Sequence, residues 1–492
     1  MSSSAYTHPA AAPLPPPVLA QTPLHHILQW RATAQGDRTA YIYLGDTGEP
    51  EAQYTYAELD GLARRVAAAL LAQCQPGDRA LLLYPPGLDF VAAFFGCLYA
   101  GVIAVPANPP RHRRLVSRLD AIRTDARPAV TLTTGPLLRR LTTEVADGSL
   151  ASATTIVTDA LPAADDVALP PTDLDSLALL QYTSGSTSTP KGVVVSHRNL
   201  TYNEEFVKRA VTLTEKSLSV SWLPIYHDMG LIEGLLQPTY SGFTGVLMSP
   251  FAFIQKPIRW LTALSRYRAT HAGAPNFAYD LCVEKVTDAQ LATLDLSAMD
   301  SLYSGAEPIR HSTMMRFHER FAACGLNPRT RYASYGRAEA TLMVSGEWRP
   351  RCAMVSASGL ERGVAADVTG DDDRAIAIVS CGTSAHETTL LVVDPATGRA
   401  CPDNVVGEIL VGGPTVAQGY WERPAETAET FGATVEGHAG RFLRTGDLGF
   451  ARDGGVYVTG RSKDLIIVRG RNHYPQDIES IVQQAHPALR PD

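Results

Sequence analysis

The chain lacks the features that would tie it to nucleic acid, to an anionic membrane or to an oxidising compartment. Its seven cysteines are scattered and form no CxxC pair, so we expect neither a disulfide framework nor a zinc site. The formal net charge is −7, whereas proteins that bind nucleic acid or membrane surfaces are usually basic. These absences predict free thiols in a reducing cytoplasm, with neither nucleic acid nor membrane as a partner.

A secretory signal is lacking as well. Residues 1–21 have no basic start and no apolar core, and their Ala and Pro content predicts a disordered leader or linker. One uncharged stretch, residues 90–107, deserves comparison with a membrane span because it is eighteen residues long. Gly101 within it favours a buried helix that ends near Ala100, followed by a short strand. A membrane-spanning helix is the alternative.

The pattern of apolar runs predicts an α/β protein. The 492 residues suffice for one large domain of layered α/β subdomains and a smaller unit. Strand-like runs alternate with helical stretches over residues 79–304, which implies largely parallel sheets. From about residue 378 to 460 shorter strands and turns predict a small β-barrel-like subdomain. The main strand-like runs are 80–84, 102–105, 129–132, 177–182, 192–195, 245–248 and 270–273, then 390–393, 408–411 and 455–459.

The loop 182–192, with the sequence YTSGSTSTPKG, is the most informative segment. It joins two apolar strands and combines hydroxyl groups, glycines and one lysine, which is what a polyphosphate tail requires. It is not a Walker A loop, because Pro190 precedes Lys191 where that motif has glycine. A flexible Ser/Thr-rich linker is the alternative. The predicted phosphate-binding residues are Thr183, Ser184, Gly185, Ser186, Thr187 and Lys191.

Further motifs follow this loop in a fixed order. They read YGRAEAT at 335–341, RTGD at 444–447 and GRSKD at 460–464. In order and spacing the chain resembles the adenylate-forming ligases, which include acyl-CoA synthetases, luciferases and adenylation domains. Four segments resemble fatty acyl-AMP ligases more narrowly, over roughly residues 22–492. They are SGSTSTPKG at 184–192, YHDMGLI at 226–232, SGAEP at 304–308 and NHYPQDIE at 472–479.

The resemblance implies a reaction and an architecture. A fatty acid and ATP, with Mg²⁺, would give acyl-adenylate and pyrophosphate. The acyl group would then pass to the phosphopantetheine thiol of an acyl carrier protein in a polyketide, nonribosomal peptide or lipid pathway. Residues 22–460 would form the N-terminal domain and 461–464 a hinge, with 465–492 the start of a C-terminal lid domain that is largely missing. A monomer or a module of a larger synthase is expected.

The same resemblance assigns nucleotide roles. Glu339 would hold Mg²⁺, Tyr335 would stack on adenine beside Gly336, and Asp447 would accept hydrogen bonds from the ribose hydroxyls. Ala338 stands where the wider superfamily has threonine, so Thr341 is expected to supply a hydroxyl. A surface glutamate and a surface arginine are the alternatives for Glu339 and Arg461. The remaining assignments are the backbone of Ser304, Gly305, Ala306 and Glu307 beside adenine, Arg461 near ribose and phosphate, and Lys463 at the hinge.

His227 is expected to line the acyl and adenylate site, although a structural histidine is the alternative. It need not act as a base, because a carboxylic acid is already ionised at neutral pH. The residues expected around the acyl chain, each of which could instead be plain core, are Met229, Gly230, Leu231, Ile232, Phe277 and Ser304.

Two rival functions share these motifs. An acyl-CoA synthetase would use every nucleotide motif, but the long segment 346–377 favours a fatty acyl-AMP ligase, which carries an insertion here that disfavours CoA. A non-catalytic nucleotide-binding module is the rival from another class.

A basic cluster offers either a docking patch for the carrier protein or a solvated helix face. It comprises Arg111, Arg113, Arg114 and Arg118.

Overall fold

The structure is a computed structural model. It describes residues 18–110, 116–145, 154–164, 167–183, 190–368, 374–384, 387–468, 471–475, 478–479 and 482. Ser184–Thr189 of the predicted phosphate loop lie outside these ranges, as do Arg111–Arg114 and most of the predicted leader.

The larger sheet has eight strands in the order β14-β13-β12-β11-β9-β10-β1-β2. Its inner pairs are parallel, and the two edge pairs, β1–β2 and β13–β14, are antiparallel. The strands are β1 Thr39–Leu44, β2 Pro50–Thr55, β9 Leu218–Ser221, β10 Thr244–Met248, β11 His271–Ala274, β12 Ser301–Ser304, β13 Arg331–Gly336 and β14 Met343–Trp348.

The second sheet has six strands in the order β6-β5-β3-β4-β7-β8, parallel except for the β7–β8 pair. Its strands are β3 Arg79–Leu83, β4 Ile103–Ala107, β5 Val130–Thr133, β6 Thr155–Val157, β7 Leu177–Tyr182 and β8 Gly192–Ser196. These two sheets confirm the predicted α/β class and the predominance of parallel pairing. All the strand-like runs predicted between residues 80 and 273 are strands.

Short antiparallel strands follow, as predicted. A four-stranded sheet has the order β17-β18-β19-β20, and a separate β15–β16 pair is joined to it by a bridge between Ser380 and Tyr457. The strands are β15 Cys352–Ser356, β16 Ala375–Val379, β17 Thr389–Val393, β18 Gly407–Gly412, β19 Leu443–Arg452, β20 Gly455–Arg461, β21 Ile466–Val468 and β22 Arg471–His473. That residues 461–464 act as a hinge stays a prediction.

Helices cover the sheets. The α-helices are α1 Leu24–Ala34, α2 Tyr56–Leu71, α3 Leu88–Tyr99, α4 Val116–Ala126, α5 Gly135–Arg140, α6 His197–Ala210, α7 Gln237–Ser241, α8 Pro250–Gln255, α9 Ile258–Arg266, α10 Asn276–Lys285, α11 Asp288–Leu291, α12 His311–Phe321, α13 Ala357–Glu361 and α14 Pro424–Phe431. Two π-helical segments are Leu141–Val145 and Met229–Leu236. The short 3₁₀ turns are Leu19–Gln21, Thr158–Ala160, Ala322–Cys324, Pro328–Thr330, Ala338–Ala340 and Ser462–Asp464.

Helix α3 settles the identity of the uncharged stretch. It ends at Tyr99, and Gly101 has φ +64° and leads into β4, so the predicted helix and strand are confirmed. Its side chains are buried in a core that contains residues of both large sheets. No helix in the described ranges is long and apolar enough to cross a membrane. All seven cysteines are unpaired, as predicted.

Candidate active site

One large cavity lies beyond the carboxyl ends of β7, β9, β12 and β13, where the side chains that follow parallel strands meet. Its volume is about 660 Å³, within the range of small-molecule sites. The cavity brings together residues that are up to 357 positions apart in the sequence, from Pro106 to Lys463. The sequence-predicted residues that line it are Thr183, His227, Met229, Ala306, Tyr335, Gly336, Ala338, Glu339, Asp447, Arg461 and Lys463.

Glu339 reaches the cavity because the chain reverses sharply after β13. A side chain at Gly336 would place its Cβ 2.1 Å from the carbonyl oxygen of Leu342, so only glycine fits this reversal. The Arg337 amide donates to the same carbonyl at 2.8 Å, and a 3₁₀ turn at Ala338–Ala340 then presents Glu339. The sequence YGRAEAT therefore encodes a tight turn at the sheet edge.

The Glu339 carboxylate is buried but ionised. Its side chain is 9% exposed, Arg337 Nε donates to Oε2 at 2.9 Å, and the Tyr420 hydroxyl donates to Oε1 at 3.0 Å. Burial alone would raise the pKa of Glu339, but the positive charge and hydrogen bond of Arg337 outweigh it, and the net pKa is lowered. The site thus holds a fixed negative charge at neutral pH.

Asp447 shares the same arginine. Its Oδ2 accepts hydrogen bonds from the Tyr335 hydroxyl at 2.6 Å and from Arg337 Nη1 at 3.1 Å, and Arg337 also donates to the carbonyl oxygen of Thr445. Arg461 lies opposite Asp447 in the β19–β20 pairing, with Nε 3.5 Å from Oδ1. Burial, with a further effect from Asp447, raises the pKa of Tyr335 well above its usual value, so this phenol stays a hydrogen-bond donor.

His227 lies on the loop between β9 and the Met229–Leu236 segment. Its Nδ1 is 2.6 Å from Asp228 Oδ1, and this hydrogen bond raises the pKa of His227, against an opposing effect of burial. Arg118 lines the same part of the cavity and lowers that pKa slightly. Gln181 donates to the carbonyl oxygen of Tyr226 at 3.0 Å, which fixes the loop against β7. The imidazole, 54% exposed, is available to a bound molecule.

Comparisons with known proteins agree with this geometry. The family model described as AMP-binding enzyme matches residues 28–421. The medium-chain-fatty-acid–[acyl-carrier-protein] ligase JamA of Moorena producens is 45% identical, over 94% of this chain and 81% of the relative. The putative fatty-acid–CoA ligase FadD21 of Mycobacterium tuberculosis is 39% identical, over 93% of this chain and 82% of the relative.

Among solved structures, the fatty acyl-adenylate ligase of Legionella pneumophila in complex with acyl adenylate and pyrophosphate has a TM-score of 0.85 and 37% identity. The match covers 95% of this chain and 81% of that one. The chain belongs to the fatty acyl-AMP ligases. It is accordingly an ATP-dependent, AMP-forming enzyme of the AMP-binding family.

Some residues expected to bind phosphate in a fatty acyl-AMP ligase lie away from the cavity. Lys191 forms an ion pair with Glu426 and its ammonium lies 5.0 Å from the ring centre of Tyr420, outside the cavity lining. Thr341, which is expected to replace the hydroxyl lost at Ala338, does not line the cavity. Its hydroxyl is buried and donates to the carbonyl oxygen of Thr415 at 2.6 Å, and its φ of +69° belongs to the chain reversal.

The segment 304–307, predicted to lie beside adenine, also lies only partly at the cavity. Ala306 lines the cavity, but Ser304 is buried behind it and Glu307 is exposed to solvent. The approach of Gly305 to Ser334 is close, since a Cβ there would lie 2.6 Å from the Ser334 hydroxyl oxygen. The Glu307 side chain lies outside the cavity, and backbone contact of residues 304–307 with adenine stays a prediction.

Most of the residues expected around the acyl chain of a fatty acyl-AMP ligase lie away from the cavity lining. Met229 lines the cavity, but Leu231 and Ile232 are completely buried in the hydrophobic core and do not. At Gly230 a Cβ would lie 2.2 Å from the carbonyl oxygen of Pro224, so this residue serves close packing. Phe277 is 39% exposed and packs edge-on against Trp222, away from the lining.

Three residues that matter here were missed in the sequence. Arg337 occupies the variable position of its motif, so the motif gives no signal for it, and Tyr420 lies far from any motif. Glu233 lines the inner end of the cavity. The signal for Glu233 was present, because it is an acidic residue within the otherwise apolar run of Met229–Leu236.

Proposed function

We propose that this chain activates a fatty acid with ATP, giving acyl-adenylate and pyrophosphate, and passes the acyl group to the phosphopantetheine thiol of an acyl carrier protein. The observation that carries the proposal is the single cavity that contains Glu339, Asp447, Thr183 and His227. These side chains come from four separate segments of the sequence. Their meeting in one cavity supports a common substrate.

The first step forms one bond and breaks one. A carboxylate oxygen of the fatty acid attacks the α-phosphorus of ATP, and the bond to the β-phosphate oxygen breaks as pyrophosphate leaves. The protein contributes mainly position and electrostatics, since both reactants are anions that must be aligned. Asp447 would accept hydrogen bonds from the ribose hydroxyls, and Tyr335 would stack on adenine. Arg461 would lie near the ribose and phosphate.

His227 would contact the reacting carboxylate. Its raised pKa, due to Asp228, keeps the imidazole protonated to higher pH than usual, so it can donate a hydrogen bond to an anion. No base is needed at this step, because the fatty acid is already ionised. Thr183 at the end of β7 and the loop that follows it would hold the phosphates.

Glu339 fits a magnesium site. Mg²⁺ is usually bound by one or two carboxylates together with substrate phosphates and water. Each Glu339 oxygen accepts one side-chain hydrogen bond and retains a lone pair towards the cavity. No group of three His, Cys, Asp or Glu side chains suited to a metal occurs in the described ranges, so phosphate and water would complete the site. Bound there, Mg²⁺ would neutralise charge on the phosphates.

The acceptor step separates this function from its main rival. The thiol sulfur attacks the acyl carbonyl carbon, AMP leaves with one oxygen of the original carboxylate, and the thiol proton is released. The segment 346–377 supports the carrier protein as acceptor. Leu360 of α13 packs with Phe450 and Tyr457 of the β19–β20 hairpin and with Tyr474 beyond residues 461–464. A segment packed against this junction would hinder CoA, whose adenosine phosphate adds bulk to the same phosphopantetheine arm.

Incubation of the protein with ATP, Mg²⁺, a mixed pool of fatty acids and either holo carrier protein or CoA tests the proposal. Mass spectrometry should show acylated carrier protein and scarcely any acyl-CoA, with release of pyrophosphate. Efficient acyl-CoA formation would instead support a CoA synthetase, in line with the name of FadD21. Nucleotide binding without pyrophosphate release would support a non-catalytic module.

A further inference from the structure

The inner end of the cavity adjoins a second, smaller chamber. Glu233, Tyr303 and Met343 line both spaces, so they form the wall between them. The chamber has room for roughly one water molecule and is otherwise lined by residues in or near α6, β9, α7 and β11. Tyr303 directly precedes the predicted adenine segment, whereas Glu233 belongs to the Met229–Leu236 segment, whose Met229 is a predicted acyl-chain residue that lines the cavity.

The charge on this wall is unusual for a pocket that receives a hydrocarbon chain. Glu233 is only 9% exposed, and its Oε2 has no hydrogen-bond partner in the described part of the protein. Burial raises the pKa of Glu233 to about 7, and the nearby Tyr303 hydroxyl lowers it slightly. The Tyr303 hydroxyl does not reach hydrogen-bond geometry with this carboxylate, and it too has no partner among the described residues.

Further polar atoms at this wall lack partners among the described residues. Ser219 Oγ and Gln237 Oε1 line the chamber and are buried without hydrogen bonds. Val207 and Phe243 complete the lining with apolar side chains. Most buried polar groups in folded proteins are paired, and each unpaired one costs roughly 1–3 kcal/mol. Four such atoms around one wall point to a bound group that supplies the missing hydrogen bonds.

An unsubstituted hydrocarbon chain could not supply them. On the basis of the proposed function, the geometry points to an acyl substrate that carries a hydrogen-bond donor at the end remote from its carboxylate, with Glu233 as the acceptor. A hydroxyl or an ammonium group has this chemistry. A terminal donor would pair with Glu233 Oε2, and Ser219, Gln237 and Tyr303 line the adjoining chamber.

Binding of acyl sulfamates of adenosine tests this without catalysis. Hexanoyl, octanoyl and decanoyl probes would each be compared with their ω-hydroxy and ω-amino forms by isothermal titration calorimetry. At pH 8, above the raised pKa of Glu233, a hydrogen bond to this carboxylate is worth about 1.5–3 kcal/mol, and each 1.4 kcal/mol is about tenfold in affinity. We expect at least one substituted probe to bind about tenfold or more tightly than its unsubstituted partner. The hydroxy and amino arms distinguish a neutral donor from a cationic one.

Variants locate the effect. Glu233→Met removes the acceptor and should abolish the preference, whereas Glu233→Gln should weaken binding of the amino probe more than that of the hydroxy probe. Glu58→Gln is the control, because Glu58 belongs to the N-terminal capping box of α2, which glutamine preserves, and lines neither space. It should leave the preference intact.

The wild-type comparison stands even if a variant fails to fold. Equal or tighter binding of the unsubstituted probe at every length would overturn the inference and leave the chamber to a water molecule. Failure of all the probes to bind would count against the proposed function itself.

Discussion

At the scale of single residues, the electrostatics of the cavity depend on Arg337. This one guanidinium, 19% exposed, hydrogen-bonds both Glu339 and Asp447 and stabilises two carboxylates that would otherwise repel each other. It keeps Glu339 ionised by lowering its pKa. Its own pKa is raised, because these carboxylates outweigh the effect of burial. An arginine at the variable position of the motif therefore links the metal and ribose candidates.

Replacing Glu339 with glutamine should lower adenylate formation by roughly 10²-fold or more, the effect typical of losing one electrostatic stabiliser. The amide cannot offer the negative charge proposed to hold Mg²⁺. Pyrophosphate release at limiting Mg²⁺ measures this. Glu58→Gln is a control, because Glu58 serves only the N-terminal capping box of α2 and glutamine preserves that box. Full activity of Glu339→Gln would refute the assignment.

Replacing Arg337 with methionine should destabilise the fold by about 3 kcal/mol or more, since breaking a buried ion pair leaves uncompensated charge. Urea unfolding near neutral pH gives the free energy. The control is Arg198→Met, which removes an exposed pair with Asp175 and should change the free energy of unfolding far less, since solvent screens such pairs. Equal effects of the two substitutions would show that Arg337 is not the internal counter-charge.

Glu233 should make stability depend on pH. Burial raises its pKa in the folded protein to about 7 from the usual 4.5, so the folded protein holds this proton more tightly than the unfolded chain. Glu233 therefore contributes fully to the free energy of unfolding below pH 4.5, and this contribution is lost as the pH rises through 7. The loss is about 3 kcal/mol, since each pKa unit corresponds to about 1.4 kcal/mol. Chemical unfolding at pH 5 and pH 8 should show less loss for Glu233→Gln than for the wild type. Identical losses would mean that Glu233 does not titrate in this way.

At the scale of elements, the described part of the segment 346–377 contains β15, α13 and the beginning of β16, and β15 pairs antiparallel with β16. Val355 and Leu360 are buried against Phe450 and Tyr457 of β19 and β20. The segment is thus part of the packed structure around residues 461–464. Its proposed effect on CoA would depend on this packing.

Leu360→Ala should loosen that packing, at a cost of about 2–5 kcal/mol, and raise the yield of acyl-CoA relative to acylated carrier protein. Leu70→Ala is matched in chemistry and burial but lies in the core around α3. It should lower stability similarly without changing the choice of acceptor. A ratio of products that is the same in both variants and the wild type would argue against a role for the segment.

Sequence patterns predicted elements better than side-chain positions. The apolar runs predicted five of the six strands of the second sheet but only β10 and β11 among the eight of the larger sheet, because burial on two faces gives continuous apolar runs only in the innermost strands. The sequence pattern could not show whether Leu231 and Ile232 line the cavity, since an apolar residue beside a motif fits a core as well as a pocket. The position of the Lys191 side chain is set by Glu426 and that of Thr341 by the carbonyl oxygen of Thr415, partners that lie over 70 positions away in the sequence. Such pairings follow only from the folded chain.

At the scale of the whole molecule, two large sheets and the β-rich region place four segments around one cavity. The carboxyl ends of parallel strands supply Thr183, His227 and Glu339, while the β19–β20 hairpin adds Asp447 and Arg461. This architecture suits a reaction between two anions, because fixed charges from separate layers can be arranged around both. Its similarity to a solved fatty acyl-adenylate ligase, at a TM-score of 0.85, agrees with that chemistry.

The central claim is that a carboxylate oxygen of the fatty acid attacks the α-phosphorus of ATP. A fatty acid labelled with oxygen-18 in its carboxylate tests it most directly. After transfer to a holo carrier protein, mass spectrometry should find one labelled oxygen in AMP and the other in the thioester. Unlabelled AMP, or ADP in its place, would contradict the account.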